Sequence, residues 1–375
     1  MGRSKFLLVF GTRPEAIKMA PIVKELLKYP EHFETKVCLT GQHRQMLDKV
    51  MEFFRITSDF DLNIMKPGQS LFDITTECLM GMEKVLDQYQ PDVVFVQGDT
   101  TTAFACALAA HYKKIKVAHI EAGLRTGDKY SPFPEEMNRI MAGHLADFHF
   151  APTEGARRNL INEGITKNVE VVSNTVIDAL LLGLETIQST GDLVYRDFFR
   201  NVCFDKKIIL VTGHRRESFG MGLENICHAL LKIANMNPDV EMVYPVHLNP
   251  NVREPVIRIL QGHTGIHIMD PFDYPFLIWL MNQSYLVLTD SGGIQEEAPS
   301  LGKPVLVMRE VTERMEGVEA GTAKLVGTSQ ELIVKEIQHL LDDPGEYQRM
   351  AQAHNPYGDG MASQRIVQFF LHNKD

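Results

Sequence analysis

The run Lys5-Phe-Leu-Leu-Val-Phe-Gly-Thr-Arg-Pro-Glu-Ala-Ile-Lys18 sets the architecture of the chain. Its opening half is apolar without strict alternation, the pattern of a strand buried on both faces of a parallel sheet. Gly11 then permits a tight exit, and Pro14 suits the first turn of a helix. Arg13 and Lys18 bring two cations to that helix start, where an anion is favoured. Taken alone, the segment is equally a plain strand-to-helix turn with solvated side chains. It is neither a Walker A loop nor a G-x-G-x-x-G fingerprint, and neither motif occurs elsewhere in the sequence.

The same alternation spreads outward from this unit. Further buried strands are expected at 35–39, 93–96, 116–120, 148–151 and 169–172, with helices at 14–29, 74–88, 102–112, 136–146 and 153–163. The pattern then restarts, with strands at 207–211, 240–244, 266–269, 285–289, 305–308 and 324–326. Its helices fall at 222–236, 250–261, 273–281, 293–301 and 331–342. Alternation of this kind implies parallel sheets with right-handed crossovers, hence two doubly wound α/β domains. The expected division is 1–174, joined by a C-terminal helix at 362–375, and 175–361. No internal repeat or low-complexity linker marks the junction.

Composition narrows the function classes. The 375 residues are 44% hydrophobic and 23% charged, which is ordinary globular usage. Net charge is −10, which argues against a nucleic-acid footprint, so an anionic ligand must be held by local positive groups. Cys38, Cys78, Cys106, Cys203 and Cys227 are widely spaced, offering neither a zinc knuckle nor a disulfide framework. No segment reaches the roughly 18 apolar residues of a membrane span, and the apolar start is too short for a signal peptide. No His-Glu-x-x-His or comparable pairing suggests a metal, so none is expected.

In open α/β sheets ligands bind beyond the carboxyl ends of strands, so the residues following each strand carry the chemistry. Gln97-Gly-Asp99-Thr-Thr-Thr follows one strand, and Glu121-Ala-Gly-Leu-Arg-Thr126 follows the next. Ser131-Pro-Phe-Pro-Glu135-Glu136-Met-Asn-Arg139 comes shortly after. Asp99 alone suits a helix cap and Glu135 a first-turn acid. Glu121 directly on a strand exit is harder to explain structurally, because a buried carboxylate needs partners. Together the three acids would supply general acids and bases. In the second half, Val211-Thr-Gly-His214-Arg215-Arg216-Glu217 and Tyr244-Pro-Val-His247 follow strands, with His214 well placed for an anion beside two arginines.

The sharpest local signal is Thr289-Asp-Ser291-Gly292-Gly293-Ile-Gln-Glu-Glu297-Ala298. Adjacent glycines at a helix start let backbone N–H groups approach a phosphate, and Ser291 adds a hydroxyl. Glu297, one turn on, suits a ribose diol, and Arg314 suits a pyrophosphate. The alternative is a tight turn with a solvated acidic helix face. Tyr112-x-x-x-Lys116 has a dehydrogenase-like spacing, but it runs from a helix end into a strand and shares no helical face.

In order along the chain, these segments resemble the non-hydrolysing UDP-N-acetylglucosamine 2-epimerases. The resemblance rests on Gly11-Thr-Arg-Pro-Glu-Ala-Ile-Lys18, Gly98-Asp-Thr-Thr, Glu121-Ala-Gly-Leu-Arg-Thr, Pro134-Glu-Glu, Thr212-Gly-His-Arg-Arg-Glu, Asp290-Ser-Gly-Gly-Ile-Gln-Glu-Glu297 and Arg314. It implies a GT-B-like fold of two Rossmann-type domains with the nucleotide in the interdomain cleft, and a cytoplasmic homodimer with no cofactor. It further implies a catalytic set of Lys18, Asp99, Glu121, Glu135 and His214, and a UDP site of Arg13, Ser291, Gly292, Gly293, Glu297, Arg314 and Phe276. Bacterial members carry a second, activating nucleotide-sugar site, whose counterparts here are Gln42, His43, Gln45, Gln69, Glu136, Arg215 and His247. The family often reads Asp-Tyr-Leu-Pro-Phe near the uracil. This chain instead has Asp273-Tyr-Pro-Phe-Leu277, which leaves Phe272 and Phe276 as alternative neighbours of the base.

The resemblance implies conversion of UDP-GlcNAc to UDP-ManNAc by elimination of UDP to a 2-acetamidoglucal and re-addition, in the supply of surface-polysaccharide precursors. Three alternatives stay open: a glycosyltransferase on the same scaffold, an epimerase of a modified sugar such as a diacetamido-uronate, and a catalytically silent nucleotide-sugar sensor.

Overall fold

The computed structural model describes residues 2–41, 44–213 and 215–373, with the backbone alone at 44 and 45. The chain forms two compact units, one of Met1–Leu182 with Tyr357–Asp375 and one of Gly183–Pro356.

The first unit is built on β1 (Ser4–Phe10), β2 (Phe33–Leu39), β3 (Phe60–Asp61), β4 (Val93–Gln97), β5 (Lys116–Ile120), β6 (Phe148–Ala151) and β7 (Val169–Val171). They form a seven-stranded sheet in the order β3-β2-β1-β4-β5-β6-β7, and every neighbouring pair is parallel. Strand order reverses between β1 and β4, so the turns after these two strands open the crevice where such sheets bind ligands. The apolar run anticipated at 5–10 explains why β1 sits centrally. Leu7 and Leu8 are fully buried, and β1 pairs with β2 and β4 on its two sides. Thr12 and Glu15 form a capping box that starts the helix Arg13–Leu26, with Pro14 in its first turn.

The second unit repeats the plan with β8 (Lys207–Thr212), β9 (Val240–Pro245), β10 (Ile266–Met269), β11 (Leu286–Thr289), β12 (Val305–Val307) and β13 (Ala323–Leu325). Its six-stranded order is β10-β9-β8-β11-β12-β13, again parallel throughout. Here the reversal lies between β8 and β11, which lead into Gly213 and Asp290. Ile209, Val211, Leu288 and Leu306 pack beneath the helices Met221–Met236 and Gln330–Asp342 through Leu230, Ile333 and Ile337.

The structure adds helices beyond those expected: Arg44–Phe53, Thr175–Thr190, Leu193–Phe198, Met315–Glu319 and Pro344–Ala351. Thr175–Thr190 begins where the second domain is expected to start and runs across the Leu182/Gly183 division of the two units. The helix expected at 293–301 is an α-helix over Gly292–Glu297 followed by a 3₁₀ turn over Ala298–Leu301, since Pro299 cannot continue the α ladder. The C-terminal helix Ala362–His372 docks within the first unit. Asp178 accepts hydrogen bonds from the backbone N–H groups of Ala362 and Ser363, and Phe370 packs edge-on against Phe6. Among the described residues no helix is long and apolar enough to cross a membrane, and no group of three or more His, Cys, Asp or Glu side chains could hold a metal ion.

Candidate active site

At the end of β4 the chain turns through Gly98, whose φ of +70° lies in the left-handed region that a residue without a Cβ reaches without strain. This turn delivers Asp99. Its carboxylate pairs with the Arg139 guanidinium, and its carbonyl accepts a hydrogen bond from Asn138 Nδ2 at 3.0 Å. Burial pushes the Asp99 carboxyl above its ordinary value, with Arg139 and Lys18 opposing that rise and Glu121 adding to it.

Glu121 leaves β5 with φ +63°, a strained setting for a residue with a side chain, and it is buried. Three elements converge on its carboxylate. Lys18 Nζ from the helix Arg13–Leu26 lies 2.7 and 2.6 Å from its two oxygens. Gln97 Nε2 donates from the end of β4, and Asn174 Nδ2 donates at 3.2 Å from the segment after β7. Glu135 opens the helix Glu135–Leu145, half-buried and without a hydrogen bond or ion pair among the described residues. The first unit therefore joins Lys18, Asp99 and Glu121 in one electrostatic cluster, with Glu135 one turn before Arg139 on the same helix.

In the second unit β11 runs into Asp290, which is buried and tied to Arg215. The Asp290 carboxylate accepts from the Arg215 backbone N–H at 2.8 Å, and its carbonyl accepts from Arg215 Nε at 3.0 Å. Ser291 donates its backbone N–H to Thr289 Oγ1 and heads the helix of Gly292 and Gly293. A Cβ on Gly292 would lie 3.2 Å from a Glu313 carboxylate oxygen and 3.5 Å from the Arg314 guanidinium carbon, so the glycine keeps that approach open. Arg314 is aligned by Glu296 at 2.7 Å. Burial acts to raise the Glu313 carboxyl, but Arg314 and Arg309 outweigh it and pull the group down to about 2. Glu297 is buried and accepts the Tyr274 hydroxyl at 2.9 Å. Beside this turn lies an open concavity of about 560 Å³ whose lining includes Arg215, Arg216, Phe219, His247 and Ser291.

The other expected site residues fall in several places. Arg13 belongs to the first unit, exposed in the first turn of its helix. Phe276 packs against Phe198 and Tyr195 with ring centroids 4.5 and 5.0 Å apart, while Phe272 packs on Phe199 at 5.4 Å. Both rings thus join one aromatic cluster. Glu136 turns inward, where one carboxylate oxygen accepts the backbone N–H groups of Thr126 and Gly127. Gln69 braces its own loop, donating to the Ile64 carbonyl and accepting from the Lys66 N–H. His247 Nδ1 accepts the Asn249 N–H at 3.1 Å. Gln42, His43, His214 and the side chain of Gln45 lie outside the described residues.

The chain matches the UDP-N-acetylglucosamine 2-epimerase family model over residues 25–371. It is 57% identical over 374 residues to the UDP-N-acetylglucosamine 2-epimerase of Escherichia coli strain K12, covering 99% of each chain. This chain belongs to the UDP-N-acetylglucosamine 2-epimerase family. It is an isomerase with the GT-B-like fold of these relatives. Among solved structures, the UDP-GlcNAc 2-epimerase from Neisseria meningitidis bound to UDP-GlcNAc superposes with a TM-score of 0.90 at 50% identity, covering 98% of this chain and 100% of that one. The Methanocaldococcus jannaschii UDP-GlcNAc 2-epimerase in complex with UDP-GlcNAc and UDP gives 0.80 at 34% identity, covering 98% and 100%.

Several residues of this epimerase's two clusters escape a reading of the sequence alone. Arg139 lies one helical turn from Glu135, and Asn174 follows β7 as Asp99 follows β4, so position gave a signal for both. Tyr274, Glu296 and Glu313 carry no such mark, because their roles come from tertiary partners.

Proposed function

We propose that the enzyme interconverts UDP-GlcNAc and UDP-ManNAc, with the second unit holding the nucleotide and the first unit moving the proton at C2 of the sugar. The observation that carries this reading is the buried cluster of Asp99, Arg139, Glu121 and Lys18, in which burial lifts the Asp99 carboxyl while cations stand beside it. The UDP-GlcNAc bound to the Neisseria relative and the UDP-GlcNAc and UDP bound to the Methanocaldococcus relative support the choice of ligand.

The C2 hydrogen of the substrate is not adjacent to a carbonyl, so enolisation is unavailable. Asp99 takes that proton, its C–H electrons form the C1=C2 bond of a 2-acetamidoglucal, and the C1–O bond to UDP breaks. Arg13, His214, Arg314 and the N–H groups at Ser291–Gly293 stabilise the charge that gathers on departing UDP. Re-addition of the UDP oxygen to C1 and return of a proton to the opposite face of C2 complete the inversion. Glu135 serves reprotonation. Glu121, gripped by Lys18, Gln97 and Asn174, serves charge stabilisation. Glu297 holds the ribose diol, and Phe276 belongs to the uracil side. The route uses no hydride carrier. Gln42, His43, Gln45, Gln69, Glu136, Arg215 and His247 form the activating nucleotide-sugar site, and the chain acts as a cytoplasmic homodimer feeding surface-polysaccharide synthesis.

An NMR time course of purified protein with UDP-GlcNAc, and nothing added, tests the reaction. UDP-ManNAc signals should grow to a constant ratio with UDP-GlcNAc. A requirement for an acceptor sugar would instead point to a glycosyltransferase.

A further inference from the structure

His119 on β5 and His149 on β6 are the feature that the proposed reaction leaves unexplained. They are cross-strand partners in register, and both are buried within a parallel sheet where apolar residues are the norm. Each places Nε2 on a backbone carbonyl: His119 on Gly98 at 2.7 Å, and His149 on Gly143 at 2.8 Å. A carbonyl only accepts, so Nε2 is the protonated nitrogen in both rings. Among the described residues, His119 Nδ1 is buried without a hydrogen-bond partner, so Nε2 carries that ring's polar contact. Burial of such a nitrogen is costly.

The two carbonyls lie on the two elements that build the Asp99 ion pair. Gly98 is the hinge immediately before Asp99, and its N–H continues the sheet ladder to the Ile120 carbonyl. Gly143 sits on the helix Glu135–Leu145, which carries Asn138 and Arg139, the residues that grip the Asp99 carbonyl and carboxylate. One histidine thus ties down the turn, and the other ties down the helix. The buried rings stay neutral at physiological pH, since desolvation holds His119 down to about 4, and donation from Nε2 persists there.

We propose that His119 and His149 are paired positioning residues that fix the Asp99 turn and the Arg139 helix relative to each other through the Gly98 and Gly143 carbonyls. The inference rests on Asp99 being the proton-transfer residue proposed above. Small displacements of a reacting group cost about 10²-fold in rate, so loss of either anchor shows in kcat rather than in nucleotide binding.

The test compares His119→Leu, His119→Gln and His119→Asn in the full-length protein, by NMR turnover of UDP-GlcNAc and by hydrogen–deuterium exchange of the peptide spanning 97–102. Gln reaches the Gly98 carbonyl with its own Nε2, whereas Asn is too short. H119L and H119N should lose roughly 10- to 100-fold in kcat with KM within about twofold of wild type, and exchange at 97–102 should rise. H119Q should restore both readings. If H119L does not fold, the contrast between H119Q and H119N decides. Equal kcat in H119Q and H119N, or a wild-type kcat in H119L, overturns the proposal. An inactive wild type would refute the reaction itself, while exchange at 97–102 would still judge the anchoring: protection lost in H119N and kept in H119Q supports it, and equal protection overturns it.

Discussion

At the β1/β4 end of the first sheet, Lys18, Asp99, Glu121 and Arg139 meet one another, and the polar work there is done by side chains already paired in the protein. At the β8/β11 end of the second sheet, the side chains of Asp290 and Glu296 turn to Arg215 and Arg314, and Glu297 accepts from Tyr274. Ser291, at the head of the Gly292–Gly293 turn, lines the opening. In the proposed reaction the same topological position carries two chemistries. A buried side-chain cluster can shift proton affinities, which proton transfer needs. A glycine turn braced from behind suits the proposed UDP site, since it can hold a diphosphate without changing its protonation.

Substitutions on the two sides should therefore fail in different ways. The largest effect is expected from Asp99→Asn, which should lower kcat by roughly 10³-fold while UDP affinity, measured by calorimetry, stays near wild type. Because burial raises the Asp99 carboxyl, the ionised base is lost as pH falls through a value above the ordinary 3.8. The acid limb of the wild-type kcat profile should lie correspondingly high. Next comes Lys18→Met, which strands a Glu121 carboxylate whose side chain is only 6% exposed. Thermal or urea unfolding should show a loss of about 3 kcal/mol. The smallest effect is expected from Gly292→Ala, whose Cβ would crowd Glu313 and Arg314. Its KM should rise about tenfold, equivalent to about 1.4 kcal/mol, with kcat and unfolding midpoint little changed. A Gly292→Ala variant that lost kcat at constant KM would erase the contrast between the two regions.

Much of this was legible in the residues. The unalternating run at 5–10 and its successors gave six of the seven strands of the first sheet and all six of the second; the two-residue β3 is too short and too exposed to leave a pattern. Asp99, Glu121 and the 290–297 turn were found by their places after strands, a rule that follows from sheet topology rather than from side-chain detail. What stayed hidden depends on tertiary contact. In the helix Thr175–Thr190, Asp178 shows its part only in the fold, where it accepts the N–H groups that start the C-terminal helix. That Glu136 accepts the backbone N–H groups of Thr126 and Gly127 also appears only in the fold, because these partners lie in the loop before its helix. Tyr274 and Asn174 gain meaning only from Glu297 and Glu121, which lie 23 and 53 residues away.

The division of labour between the two units stands or falls on where the C2 hydrogen goes. Turnover of UDP-GlcNAc in deuterated water, followed by NMR and mass spectrometry, reads this directly. The account predicts that UDP-ManNAc formed by the wild type carries one deuterium at C2, and that Asp99→Asn nearly abolishes both product and label. UDP-ManNAc bearing protium at C2 would show that the hydrogen never leaves as an exchangeable proton, and would contradict the role given to the Asp99 cluster.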